Sequence, residues 1–231
     1  MREYSIYHVS DTHSFHNQLI IPEADIMIHS GDATNPRDPY ENEMEMRRFL
    51  DWYQNVNIPV KIFCAGNHDT SLEKRLVTKK DFEKAGIIYL EHELIKIDGL
   101  SFFGSPYTPT FGVGWAFNKA REKIDRTWES IPNNVDVLIV HGPPKGILDL
   151  SENRNHELEF CGCNALRKHV LYRVKPRTML FGHIHNFKEI LNSGTKQVAG
   201  YETIFSNGSC VEDGRFEKGI VNNGNLITII K

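Results

Sequence analysis

No stretch of this sequence is apolar for long enough to span a bilayer, and no signal-peptide core follows Met1-Arg2-Glu3-Tyr4. A cytoplasmic protein with no membrane partner is the expectation. Runs of Lys or Arg are also missing. Lys79-Lys80 reads as a solvated surface pair, and 27 basic against 30 acidic residues leave a net charge of -3. Without a basic stripe there is little to neutralise a phosphate backbone, which argues against long DNA or RNA as a partner. Cysteine is scarce, and 4 residues in a cytosolic chain read as reduced thiols rather than a disulfide framework. Cys161-Gly162-Cys163 has the wrong spacing for a zinc knuckle and no second pair, so it is assigned to helix-face packing. Cys64 and Cys210 are assigned to packing as well. A P-loop, a Ser-His-Asp elbow, internal repeats and linkers are all absent.

What is present suits one large soluble domain, residues 1–231, with 40% hydrophobic and 25% charged residues. Apolar runs at 4–9, 25–29, 60–65, 135–140 and 178–181 read as buried strands, each broken by polar residues. Met46, Phe49, Leu50 and Tyr53 fall on one helical face. Further helices are expected over 72–85, 119–129 and 157–173. Short strands are expected over 87–90, 94–97 and 100–103, with Asp98-Gly99 as a hairpin turn. The C-terminal part reads as strands at 187–191 and 197–205 around Asn192-Ser193-Gly194, and at 219–221 and 226–230 around Asn222-Asn223-Gly224. The sum is α/β, with mixed sheets packed face to face and covered by helices.

The chain is organised around Cys64-Ala65-Gly66-Asn67-His68-Asp69, where a β-branched run stops at glycine and delivers an amide, an imidazole and a carboxylate. Open α/β sheets place their chemistry at such strand ends. Four other strands end in the same chemistry: Asp11 and His13, Asp32, His141, and His183 and His185. Any one of these is an ordinary turn residue; five strand ends together are not. Carboxylate, imidazole and amide oxygen without thiolate suit a divalent ion such as Mn, Fe or Zn. Eight groups exceed the needs of one ion, so two ions sharing a bridging carboxylate are expected.

Other residues are less informative. His8 and His29 are read as packed core histidines or as supports of the site. His16 and Asn17 are assigned to a solvated loop, and His92, His156 and His169 to the surface or a helix face. The loop 105–118 holds Tyr107, Phe111, Trp115 and Phe117. Its aromatics either stack a nucleobase or form a local mini-core, with the mini-core preferred for Phe117. Asn207-Gly208-Ser209 is read as a rim or a simple turn. Arg37, Arg75 and Arg121 are the cations that could meet a phosphate.

Asp11-x-His13, Gly31-Asp32, Gly66-Asn67-His68-Asp69, His141 and Gly182-His183-x-His185 resemble, in order, the signature of the calcineurin-like metallophosphoesterase superfamily. Ser10-Asp11-Thr12-His13-Ser14, Ala65-Gly66-Asn67-His68, Trp115-Ala116-Phe117-Asn118 and His141-Gly142-Pro143-Pro144 are similar to its small metallophosphoesterase-domain subfamily. The resemblance implies a four-layer α-β-β-α sandwich of two mixed sheets and a dinuclear metal centre. It places Asp11, His13 and His185 on one ion, Asn67, His141 and His183 on the other, and Asp32 between them. His68 would sit over the substrate as general acid, oriented by Asp69. Manganese is expected first, with Fe, Zn, Ni, Co or Mg as alternatives. The activity implied is hydrolysis of small or nucleotide phosphodiesters, cyclic nucleotides included. The alternatives are a phosphomonoesterase or protein phosphatase, a nucleotide-binding regulator, and a scaffold. The sequence leaves oligomeric state open.

Overall fold

The computed structural model describes residues 2–153, 155–213 and 218–231. Met1, read above as part of the N-terminal pattern, lies outside them.

The strands are β1 (Glu3–Val9), β2 (Ile26–His29), β3 (Val60–Cys64), β4 (Ile88–Leu90), β5 (Glu93–Ile97), β6 (Leu100–Ser105), β7 (Thr108–Pro109), β8 (Asn118–Lys119), β9 (Val137–Val140), β10 (Leu150–Glu152), β11 (Leu158–Phe160), β12 (Thr178–Phe181), β13 (Gly194–Gln197), β14 (Ile204–Asn207) and β15 (Asn225–Ile230). The α-helices are α1 (Pro39–Gln54), α2 (Thr70–Glu73), α3 (Lys79–Lys84), α4 (Asp125–Glu129) and α5 (Asn164–His169). A five-stranded sheet runs β15-β1-β2-β3-β4, and a six-stranded one β13-β14-β12-β9-β6-β5. Both are mixed. β1, β2 and β3 are parallel while β15 is antiparallel to β1; β6, β9, β12 and β14 are parallel while β5 and β13 run against their neighbours.

Alternation along the strands builds the layers, because successive side chains point to opposite faces. Ile6, Ile28, Ile62, Phe102, Ile139 and Leu180 meet between the two sheets. Tyr7, Met27 and Phe63 point the other way, onto Met46, Phe49 and Tyr53 of α1. Leu138, Met179, Phe181 and Phe205 cover the far face of the second sheet, against Trp128 of α4 and Leu166 of α5. Three apolar seams between four layers make the α-β-β-α sandwich. Tyr53 also locks α1 down, its hydroxyl donating to the Met27 and Ile62 carbonyls at 2.9 and 3.0 Å.

Several expected elements differ. The helix expected over 72–85 is two short ones. Arg75 takes φ 61° after α2, and Thr78 starts α3 afresh by exchanging bonds with Asp81 in a capping box. Residues 119–129 open with a strand residue, because Asn118 and Lys119 pair with Thr108 and Pro109; helix begins only at Asp125. Residues 157–173 begin as β11, paired with β10, before α5 and a π turn over Val170–Val174. Cys161 is therefore off any helix, while Cys163 caps α5. Residues 187–191 hold one bridge, between Phe187 and Ile190, instead of a strand. The 197–205 run is split between β13 and β14. Asn222-Asn223-Gly224 turns no hairpin, and 219–221 is no strand. Asn223 clasps the Ile20 backbone from both sides, and β15 leaves to pair with β1.

Candidate metal centre

Every ligand candidate lies just past the carboxyl end of a parallel strand: Asp11 and His13 after β1, Asp32 after β2, Asn67 after β3, His141 after β9, His183 and His185 after β12. The two sheets are stitched together there. Ser10 bridges Ser209 across the sheets, while within the first sheet the Asp11 and His13 amides tie the end of β1 to that of β2 by donating to the Gly31 and Asp32 carbonyls. Donor atoms of Asp11, His13 and His185 lie within 4.8 Å of one another, and so do those of Asp32, His141 and His183. His13, Asp32 and His68 form a third such group. His13 and Asp32 thus belong to two groups each, as a shared centre requires. Asn67 joins the second group through its Oδ1, which accepts from His141 Nε2 at 3.1 Å.

The backbone is shaped for this convergence. Asp11, His13, Asp32 and His183 all have left-handed φ, between 42° and 69°. Such conformations cost about 1–3 kcal/mol each and persist only where surroundings over-determine them. Two glycines make room. A Cβ on Gly66 would stand 2.3 Å from Asp32 Oδ1, and one on Gly182 would stand 2.0 Å from Asp11 Oδ2.

Charge explains how carboxylates stay buried here. Burial opposes ionisation of Asp11, but the charge and hydrogen bond of His185 hold its carboxyl well below the usual range. Burial also opposes ionisation of Asp32, and the His141 and His68 charges outweigh it. Conversely, burial alone would depress His141 and His185; Asp32 and Asp11 raise them to about 9 and about 10. His13 and His183 are pushed down to about 3 by burial. The donor set fits divalent cations: compact, buried, anionic at its middle, and lined by nitrogens and oxygens whose geometry no Cβ intrudes on.

A profile of the family described as calcineurin-like phosphoesterase matches residues 4–187. The chain belongs to this family. Human metallophosphoesterase domain-containing protein 1 is 33% identical over 210 residues, covering 81% of this chain and 62% of its own. A Caenorhabditis elegans UPF0046 protein is 34% identical over 203 residues, covering 80% of this chain and 65% of its own. The chain thus spans somewhat under two thirds of these relatives. A probable rhamnogalacturonate lyase C of Emericella nidulans is 37% identical over 189 residues, which is 77% of this chain but 16% of that protein.

In this chain the supports of the candidate ligands come partly from residues beyond the family match. Ser209 Oγ donates to Asp11 Oδ2 at 2.8 Å, and His185 Nδ1–H donates to Asp213 at 2.6 Å. Asn207-Gly208-Ser209 is therefore a buried support and not a rim. Nothing in the spacing of Ser209 or Asp213 marks them, because they reach the site through the Ser10–Ser209 and Asn186–Glu212 bridges between segments far apart in the chain. His141 Nδ1–H donates to the Ser30 carbonyl at 3.0 Å.

His68 differs from expectation in its partner. Its Nδ1–H donates to the Asn35 carbonyl at 2.9 Å, not to Asp69. Asp69 is turned inward, accepting from the amides of Gly66, Asp32, Ala33 and Thr34 and from Thr34 Oγ1. It ties the β2 and β3 loops together, and so places Asp32 and His68 indirectly. Of the loop aromatics, Trp115 lies 4.6 Å from the His68 ring and Phe111 4.8 Å from that of His183. Tyr107 is not at the centre; it is half-buried under Lys119 Nζ and beside His92 and Phe117. His16 is buried against Phe49 and Trp52 rather than solvated, and His92 bridges Ser105 and Ser130. His8 sits between the sheets, on Ser206 and Ser30, while His29 holds Thr12 and the Gly31 amide. His169 stays on its helix face, bonded to Asp125, and His156 is exposed.

No helix among the described residues is long and apolar enough to cross a membrane.

Proposed function

We propose that this chain is a phosphodiesterase for small or nucleotide phosphodiesters, with manganese as the first metal to test and a cytoplasmic setting. Asp11, His13 and His185 would hold one ion, Asn67, His141 and His183 the other, and Asp32 both. When bound, the ion pair supplies the electrophilic clamp on the phosphate and the acidified water that attacks it.

The chain's own part is proton delivery. A carbonyl can only accept, so the Asn35 contact fixes the His68 proton on Nδ1 and leaves Nε2 to take up and release the second. Imidazole is suited to carry such a proton near neutral pH. Asn42 Nδ2 holds the His68 carbonyl at 2.7 Å, which steadies the ring's backbone. As the P–O bond to the leaving group breaks, the Nε2 proton passes to the departing alkoxide. Trp115 packs on the same ring and keeps it facing His13, whose ring is 4.6 Å away.

The observation that carries the diester preference is where the arginines go. A monoester dianion rewards a guanidinium on its extra oxygen. Arg75 is committed to Glu91 in a two-pronged pair, at 2.5 and 2.6 Å. Arg37 lies 3.7 Å over the Trp115 ring, and Arg121 donates to the Cys161 carbonyl. None of the three bonds a ligand residue.

The test is turnover of bis-p-nitrophenyl phosphate and p-nitrophenyl phosphate by metal-stripped protein reloaded with Mn. Diester turnover should exceed monoester turnover and vanish in Asn67→Ala. His68→Ala should keep its metals and lose about 10²–10⁴ in kcat, most severely with an alkyl leaving group. Monoester preference would make the protein a phosphomonoesterase. No turnover with metals bound would favour a nucleotide-binding regulator or scaffold.

A further inference from the structure

Beside His183 opens a cavity of about 570 Å³, within the ~300–1,000 Å³ range of small-molecule sites. It shares two residues with the metal centre's surroundings: His183 itself, and Phe111, whose ring packs on it. Phe160, the last residue of β11, lines it as well. Phe111 and Phe160 are 43% and 51% exposed, so two aromatic side chains are left uncovered around one hollow. Such surface is costly to leave wet and is a usual lining for a flat ligand. Arg121 and Lys145 also line the cavity, and neither forms a salt bridge among the described residues. Arg121 is steadied by the Cys161 carbonyl at 3.4 Å through one Nη, and a guanidinium has further N–H donors beyond that one. Glu159 is the one carboxylate in the lining, so cationic side chains outnumber anionic ones there. Metal ions held at the centre would supply cations for one phosphate; Arg121 and Lys145 add two more in the lining of the adjoining cavity.

We infer that the cavity seats one ester arm of the substrate, and that Arg121 and Lys145 select an arm bearing a second anionic group. The substrate class is then a phosphodiester whose nucleotide arm carries a further phosphate, as in a dinucleotide or longer fragment, rather than a cyclic mononucleotide. This rests on the phosphodiesterase reading above. Phe111 and Phe160 take the base and sugar, since any base offers a π-face and stacking is tolerant of sequence. The two cations take the distal phosphate by charge-assisted hydrogen bonds. Cleavage itself is unchanged: water adds to phosphorus, the P–O bond to one arm breaks, and that arm leaves with the proton.

The experiment compares thymidine 3′,5′-bisphosphate with thymidine 5′-monophosphate by calorimetry on Mn-loaded protein. A preference of about tenfold for the bisphosphate is expected, collapsing to near unity in Arg121→Ala/Lys145→Ala. Both residues are exposed, and a melting curve confirms that the variant is folded. Turnover of thymidine 5′-(p-nitrophenyl phosphate), with and without a 3′-phosphate, should show the same preference in KM. An equal affinity for both ligands in the unaltered protein, or a preference that survives the double variant, overturns the inference even if bis-p-nitrophenyl phosphate is hydrolysed. A cation-dependent binding preference without any diester turnover overturns the ester-arm assignment together with the phosphodiesterase reading.

Discussion

His185 is gripped from both sides: its Nε2–H points to Asp11 Oδ1 at 3.0 Å and its Nδ1–H to Asp213 Oδ1 at 2.6 Å. The Asp11 contact is the one a metal would replace, and the Asp213 contact is the one that would remain. A carboxylate behind a ligating imidazole fixes the ring's orientation and raises its basicity, and its loss typically costs 10–100-fold in metal affinity. Asp213→Ala is therefore expected to weaken binding of the first ion by about that factor, measured by competition with a chelating dye. Unchanged affinity would show that Asp11 and Ser209 suffice to hold the site. The candidate ligands were legible because Asp, Asn and His at strand ends announce themselves. Asp213 was not, because a carboxylate 28 residues after its histidine carries no pattern in the chain. The same holds for Asn35, which acts on His68 through its carbonyl; a backbone group leaves no trace in residue identity.

At the level of elements, the loops after β2 and β3 act as one unit. Asp69 accepts five hydrogen bonds from them, and Asp32 Oδ1 accepts the His68 amide at 2.7 Å. Gly66 passes so close beneath Asp32 and His141 that no side chain fits: a Cβ would meet Asp32 N at 2.5 Å and His141 Cε1 at 2.6 Å. Those neighbours are a backbone atom and a buried ring, so they cannot move aside cheaply. Gly66→Ala is expected to fold around intact cores yet carry less than half the metal of the unaltered protein, read by elemental analysis after gel filtration. Full metal content would mean that the loop yields. Two of the elements misread from sequence share one physical origin. Residues 158–160 and 119 read as helical but lie in strands because a partner segment pairs with them. The partner's presence is a tertiary fact that overrides local preference.

For the whole molecule, buried histidines weaken acid stability, those outside the centre together with His13 and His183. Burial holds His8 and His29 down to about 3 and His16 to about 4, below their ordinary value of 6.5. The folded chain keeps them neutral while the unfolded chain protonates them. Between pH 6.5 and about 3 the unfolded state binds more protons, so stability falls as pH falls through that window. The expected result is a melting temperature of metal-free protein that drops steadily from pH 7 to pH 5, with a shallower drop in His16→Gln and His29→Gln. An unchanged slope in both variants would place the acid sensitivity in the other buried histidines, His8, His13 and His183; Asp11 and Asp32, whose carboxyls are lowered, lose their contribution only at still lower pH.

By itself the sequence determined the class of the fold, the succession of the main strands along the chain and the polar groups at their ends that are candidate ligands. Each of these rests on local rules: alternation, β-branched runs, and chemically distinctive residues placed where strands stop. Only the tertiary structure decided which strand ends face one another, that Asp69 braces loops while Asn35 holds His68, and that Tyr107 sits half-buried under Lys119 while Phe111 and Trp115 stand over the centre. It also closed the first ligand group with Ser209 and Asp213, and opened the cavity beside His183. These depend on distances between segments far apart in the chain, and spacing along a sequence does not encode them until the two sheets are packed.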